Sequence, residues 1–422
     1  MITLQRPGSL TALPPLSLYV HLPWCLRKCP YCDFNSHEVD RSGDAAAAAS
    51  GSDRIAIQPL DANGEATFAS RLSADAERRY LDALCADLES ALPLIWGRRV
   101  HSVFIGGGTP SLFSPAGIDR LLDDVRARLP LEADAEITLE ANPGTFEKDR
   151  FKAFRAAGVN RLSIGVQTFD DARLKVLGRV HSRDQAIAAI EEARSCFDTF
   201  NIDLMYALPG QTLDDLMTDL NQALALQPPH LSLYHLTMEP NTVFATRPPE
   251  GLPDDDTAFD MLDALVARTA EAGLQRYEVS AYALKGHRSW HNLNYWQFGD
   301  YLGIGAGAHS KLSFPDRIVR QVRWREPATY MDKALQGQAC SNETPVALKD
   351  RPFEFMMNAL RLAEGFELER FSERTGLTLA SIQQPLQEAE AKGLLQRDLQ
   401  RAWPTPRGFD FLSDLQGMFL KD

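Results

Sequence analysis

Short apolar runs alternate along this chain with longer stretches whose apolar positions recur every three to four residues, and the alternation repeats at intervals of about thirty residues. The runs at 16–20, 100–105, 137–140, 161–165, 201–205 and 231–234 read as β-strands. Between them, Tyr80, Leu81, Leu84, Leu88 and Leu92 fall on one helical face, and similar spacing recurs over 118–129, 185–196, 213–226 and 259–272. Six such βα units predict an α/β fold: a parallel sheet with helices outside it, curved into a partial or complete (β/α) barrel.

Two stretches break the rhythm. Residues 40–70 turn to alanine, serine, glycine and aspartate, including five successive alanines at 45–49, and so little apolar side chain predicts an exposed, disordered insertion. Residues 347–422 predict a small separate domain. Helical spacing at 353–362, 368–375 and 380–394 is followed by a strand pair at 395–403, which gives three helices and a wing, a winged-helix-like arrangement. The barrel and its extension then occupy 1–346.

Composition narrows the class. A chain of 422 residues with 44% hydrophobic content supports two to three domains and a large core. No apolar run approaches a membrane span, and the opening residues lack the charged-then-apolar order of a secretory signal, so the expected location is cytoplasmic, without stable membrane insertion. The net charge of −13 opposes binding to nucleic acid. The C-terminal unit reinforces this, because its candidate recognition helix at 380–394 carries Glu388 and Glu390 against one Lys392 and lacks a basic face. Of six cysteines, Cys85, Cys196 and Cys340 are scattered, as ordinary thiols of a reducing compartment are.

The other three are clustered. Cys25, Cys29 and Cys32 supply soft thiolates on one short loop, a spacing that wraps an iron–sulfur cube and leaves its fourth iron without a protein ligand. A structural zinc site with His21 or His37 as fourth ligand is the alternative. The spacing resembles that of the radical S-adenosylmethionine (SAM) proteins, in which the open iron takes the amino and carboxylate groups of SAM.

Polar and glycine residues stand at the strand ends, the edge that carries the chemistry of parallel barrels. Cys25 follows the first strand, Gly106-Gly107-Gly108-Thr109-Pro110 the second, Glu140 ends the third, Gln167 follows the fourth, Asp203 lies in the fifth and Tyr234 ends the sixth. The bare backbone of the glycine run suits close approach by the amino end of a ligand. Glu140 is a candidate for the SAM amino group and Asp203 for ribose hydroxyls. Arg179 is a candidate for the SAM carboxylate.

Four segments carry a family resemblance: Tyr19-Val20-His21-Leu22-Pro23, Gly106–Pro110, Arg161-Leu162-Ser163-Ile164-Gly165-Val166-Gln167, and Asn201-Ile202-Asp203-Leu204 with Leu208-Pro209-Gly210. Together they resemble the oxygen-independent coproporphyrinogen III oxidase-like family of radical SAM proteins, from about residue 16 to the C-terminus. The resemblance implies a [4Fe-4S] cluster on Cys25, Cys29 and Cys32, with SAM bound by Tyr19, Tyr31, Gly107, Gly108, Thr109, Glu140, Gln167, Arg179, Asp203 and Tyr234.

Two details favour the heme-chaperone branch of that family. The oxidases carry a further cysteine where this chain has Phe34, and His291-Asn292-Leu293-Asn294-Tyr295-Trp296 matches the His-Asn-Leu-x-Tyr-Trp motif of the chaperones. Histidine is a common axial ligand of heme iron, and the neighbouring aromatic rings offer flat faces to a macrocycle. The expected function is heme binding and transfer to an acceptor protein, with His291 as iron ligand and His287 and His309 as rivals. The alternative is radical decarboxylation of coproporphyrinogen III.

Overall fold

A computed structural model describes residues 8–39, 72–145 and 149–420. The alanine-rich stretch predicted as an insertion, 40–70, lies outside the described residues.

Six parallel strands appear where the apolar runs predict them: β1 (Leu16–Leu22), β2 (Val100–Gly107), β3 (Leu131–Ala141), β4 (Arg161–Gln167), β5 (Thr199–Tyr206) and β6 (His230–His235). They pair in chain order, and a seventh parallel strand, Asp300–Ile304, lies on the other side of β1. The sheet does not close. Antiparallel strands continue it at both edges, through His309–Ser313, Ile318–Arg323 and Cys340–Pro345 beyond the seventh strand, and through Ala281–Ala283 and Gln275–Arg276 beyond β6.

Several of the turns that lead into helices end in a capping side chain. Ser114 precedes helix Pro115–Arg128, Ser182 with Gln185 and Thr212 with Asp215 form reciprocal caps, and Asp254 caps helix Asp255–Glu271, satisfying amides that the first turn leaves unpaired. The helices pack on one face of the sheet. Leu18, Val20, Val103, Ile105, Leu139, Ile164 and Ile202 form a single buried cluster with Leu81, Leu84, Ile118, Leu122, Ile190 and Leu220.

The period of two along each strand sends the intervening residues to the concave face, and these are mostly polar. One register row holds Tyr19, Phe104, Thr138 and Arg161, and the next holds Glu140, Ser163, Asn201 and His230. The lumen is therefore a polar column that rises toward the ends of the strands.

The C-terminal part folds as helices Arg351–Ala359, Leu368–Thr375 and Gln383–Ala391 with a three-stranded sheet of Phe366–Glu367, Arg401–Pro404 and Leu395–Arg397. Phe355, Phe366, Phe371, Leu386 and Leu395 make its core, joined by Leu10, Phe298 and Ile318 from the larger part. Arg351 donates to the carbonyls of Gly8 at 2.8 Å and Thr375 at 2.7 Å.

Candidate functional site

The three cysteines occupy a loop that is tied shut at its base. Trp24 and Cys25 pair in parallel with His37 and Glu38. The amide of His37 donates to the carbonyl of Pro23 at 2.8 Å, and that of Val39 to Cys25 at 3.0 Å. Inside the loop, the Cys32 amide donates to the Cys29 carbonyl at 3.1 Å.

Each thiol has a polar neighbour. The Thr109 hydroxyl lies 3.5 Å from Cys25 Sγ, Arg179 Nη1 lies 3.7 Å from Cys29 Sγ, and Ser36 Oγ lies 3.8 Å from Cys32 Sγ. Burial pushes the Cys25 thiol up to about 11, so a metal that binds here displaces a proton.

The histidines do not favour a zinc site. Both ring nitrogens of His21 are engaged, Nδ1 with the Tyr19 hydroxyl at 2.9 Å and Nε2 with the Asn35 carbonyl at 2.9 Å. His37 Nε2 faces Asn35 Oδ1 at 3.3 Å. Three thiols with hydrogen-bond donors beside them fit a cluster held by three ligands.

The loop after β2 lies directly against the cysteine loop. The amides of Gly108 and Thr109 donate to the carbonyls of Leu22 and Trp24 at 2.8 and 2.7 Å. Gly107 adopts φ +116°, and a Cβ there would lie 2.6 Å from the His21 ring. Its bare backbone thus makes room for His21, an intramolecular reason for glycine beside the expected one of ligand approach.

Several of the candidate residues at the strand ends lie close to this loop. Glu140 accepts from the Gly107 amide at 3.0 Å, and burial together with nearby Asp203 pushes its carboxyl up to about 8. Asp203 accepts from Ser163 Oγ at 3.1 Å and Asn201 Nδ2 at 2.7 Å, and Asn201 Oδ1 in turn meets His230 Nδ1 at 2.6 Å and Ser232 Oγ at 3.0 Å. Arg179 Nη2 donates to the Gly165 carbonyl at 2.6 Å, while its buried Nε has no protein acceptor. That spare donor suits a ligand carboxylate.

Gln167 closes β4 at φ +72° with its side-chain amide near Gly165. Tyr31 packs beside Phe244, their ring centres 6.4 Å apart. Tyr234 is 42% exposed at the rim. Sequence reasoning passed over the supporting polar residues His230 and Ser232 and gave Asn201 no role beyond its place in a family segment; alternation within β5 and β6 is the signal that marks them.

His291 lies elsewhere. It is the second residue of helix Trp290–Trp296, whose first turn is held by Glu136: the carboxylate accepts from Ser289 Oγ, the Trp290 amide and the His291 amide at 3.2, 3.1 and 3.0 Å. The ring is 2% exposed. It stacks on Phe104 with centres 5.0 Å apart and meets Tyr295 edge-on at 5.1 Å. Nδ1 faces Ser102 Oγ at 3.0 Å, and buried Nε2 has no protein partner.

Burial brings the His291 imidazole down to about 3, which keeps it neutral, the form that binds iron. The ring lies between this helix and the strands β1 and β2, closed off from solvent. Of the rivals, His287 Nδ1 lies 3.2 Å from Thr199 Oγ1, and His309 is exposed at the start of its strand.

Known proteins resemble this chain along nearly its whole length. The radical SAM superfamily model matches residues 19–223, and the HemN C-terminal domain model matches 346–411. The chain is 46% identical to the heme chaperone HemW of Escherichia coli, covering 97% of this chain and 99% of that one. It is 32% identical to the heme chaperone HemW of Bacillus subtilis over 96% and 99%. Among solved structures, coproporphyrinogen III oxidase (HemN) from Escherichia coli, a radical SAM enzyme, shares the fold at a TM-score of 0.75 and 24% identity, covering 96% of this chain and 90% of that one.

Proposed function

The chain belongs to the heme chaperone HemW family of the radical SAM superfamily, and from that premise we propose that it binds heme and passes it to an acceptor protein. Cys25, Cys29 and Cys32 hold a [4Fe-4S] cluster, which when bound supplies an open iron for SAM and a one-electron reductant. Glu140 takes the SAM amino group, Arg179 its carboxylate and Asp203 its ribose. Tyr19, Tyr31, Gly107, Gly108, Thr109, Gln167 and Tyr234 complete the pocket. The protein works in the cytoplasm, as a barrel with its extension over 1–346 and a C-terminal domain over 347–422 that serves as a lid or a partner surface.

The observation that carries the heme reading is His291, a neutral imidazole between two aromatic rings whose Nε2 has no partner. Leaving a buried nitrogen unpaired costs on the order of 1–3 kcal/mol, and coordination of iron relieves that cost. Phe34 stands 59% exposed in the cysteine loop and offers no further thiol there. Among the described residues no helix is long and apolar enough to cross a membrane.

The test is an anaerobic titration of the cluster-loaded protein with heme and, separately, with coproporphyrinogen III, SAM and a reductant. Heme is expected to give a Soret band that is lost or shifted in His291→Ala, and coproporphyrinogen to remain unchanged. Robust protoporphyrinogen formation would overturn the chaperone reading in favour of the oxidase.

A further inference from the structure

The matched radical SAM segment ends at residue 223, yet the cysteine loop is braced from a part of the chain some eighty residues further on. The connection runs through Asn35, three residues after Cys32. Its Nδ2 donates to the carbonyls of Ala306 at 2.9 Å and Arg325 at 2.8 Å, and its own carbonyl accepts from His21 Nε2 at 2.9 Å. One residue thereby joins both flanks of the cysteine loop to the sheet extension. The fit is close: Gly307 has φ +76°, and a Cβ there would lie 2.5 Å from Asn35 Nδ2.

The receiving surface is itself rigidly held. The Tyr80 hydroxyl donates to the His21 carbonyl at 2.8 Å and accepts from the Ala306 amide at 2.9 Å. Asp87, fully buried, accepts from the Gly305 amide at 3.2 Å, the Tyr330 hydroxyl at 2.9 Å and Arg323 Nε at 2.9 Å. A buried, fully satisfied network of this kind fixes one backbone arrangement. It is used here to hold the turn from Gly305 to Gly307 that Asn35 grips.

We propose that Asn35 is a positioning residue for the cluster: by clamping the 304–325 extension to both flanks of the three-cysteine loop, it holds the thiols in the arrangement that retains iron. The extension is then part of the cluster's holder, although none of its residues ligates metal. Outer partners of this kind tune metal affinity by orienting the ligands. The inference rests on the loop holding a cluster, and the test separates the two.

Wild type, Asn35→Ala and Asn35→Asp are reconstituted anaerobically, and three quantities are followed: iron release to excess EDTA, the electron paramagnetic resonance spectrum of the reduced cluster, and the melting temperature of the metal-free protein. Asn35→Ala is expected to release iron about tenfold faster or more, with an altered spectrum and an unchanged metal-free melting temperature. Asn35→Asp keeps the shape but turns an oxygen toward two carbonyls, so its release is expected to be at least as fast.

Iron release and spectra equal to wild type in both variants would overturn the role. So would a metal-free melting temperature that falls in both, since Asn35 would then be a general structural residue. If Asn35→Ala does not fold, Asn35→Ser, too short to span both carbonyls, carries the same test. A wild type that forms no iron–sulfur cluster would instead overturn the underlying cofactor reading.

Discussion

Replacing Cys25, Cys29 or Cys32 singly by alanine is expected to abolish the iron–sulfur absorption and nearly all of the roughly four irons and four sulfides that the reconstituted protein should bind. In the proposed site each thiolate is one of three protein ligands on a loop closed at its base by the pairing of Trp24–Cys25 with His37–Glu38, and the other three cysteines lie on separate elements. Cys85 sits in helix Ala74–Ala91, Cys196 ends helix Arg183–Cys196, and Cys340 begins an exposed edge strand. Alanine at these three positions should leave the iron and sulfide content unchanged. Iron retained in a Cys29→Ala protein, or one tightly bound zinc in the wild type under anaerobic reconstitution, would end the assignment of the loop.

The six central strands were legible because in each the apolar residues that face the helices alternate with polar ones that face the concave side, within a short run set between helical stretches. The same logic failed beyond residue 300. Strands there carry Asp300, Ser310, Lys311, Ser313, Gln321 and Arg323, all buried, so neither a continuous run nor a clean alternation survives. Tertiary pairing accounts for them. Lys311 Nζ lies 3.0 Å from Asp300 and 4.1 Å from the centre of the Phe298 ring, and Arg98 approaches Asp300 at 2.9 Å. Such compensation between distant residues leaves no local pattern.

The site was legible to the same degree and for related reasons. Polar residues in or at the ends of strands announced themselves by interrupting apolar positions, as Asp203 and Glu140 do. The burial of His291 could not be read from its motif, since it depends on Glu136 and Ser102, far away in sequence, holding the helix and the ring. Gly107 was read through the ligand alone, whereas half of its reason is the His21 ring packed against it. Asn35 had no signal at all, because its partners lie on the extension whose strands the apolar pattern does not reveal.

Glu140→Gln is expected to move stability and SAM binding in opposite directions. The folded protein holds this carboxyl at about 8, through burial and the neighbouring Asp203, whereas the unfolded chain titrates near its ordinary value of about 4.5. Between those values the folded state binds more protons than the unfolded state, so the Glu140 contribution to stability falls as pH rises and is fully unfavourable above about 8. Glutamine removes the charge and can still accept from the Gly107 amide. The metal-free variant should therefore be more stable than wild type at pH 8.5, by about 2–4 kcal/mol, with the gain vanishing toward pH 4.5.

SAM binding should change the other way. An ammonium group docked on Glu140 makes the carboxylate favourable again, and losing that charge-assisted contact is worth about 2–3 kcal/mol, roughly 30- to 160-fold in affinity. Chemical denaturation at several pH values and SAM-induced changes in the spectrum of the reduced cluster measure the two effects on the same protein. A residue that only packs would show neither the alkaline gain nor the selective loss. Wild-type SAM affinity in Glu140→Gln would remove Glu140 from the pocket, and a variant less stable than wild type at pH 8.5 would mean that its carboxylate is held for the fold itself. The expected pairing of greater stability with weaker binding is the mark of a charge kept in an unfavourable place because a ligand needs it there.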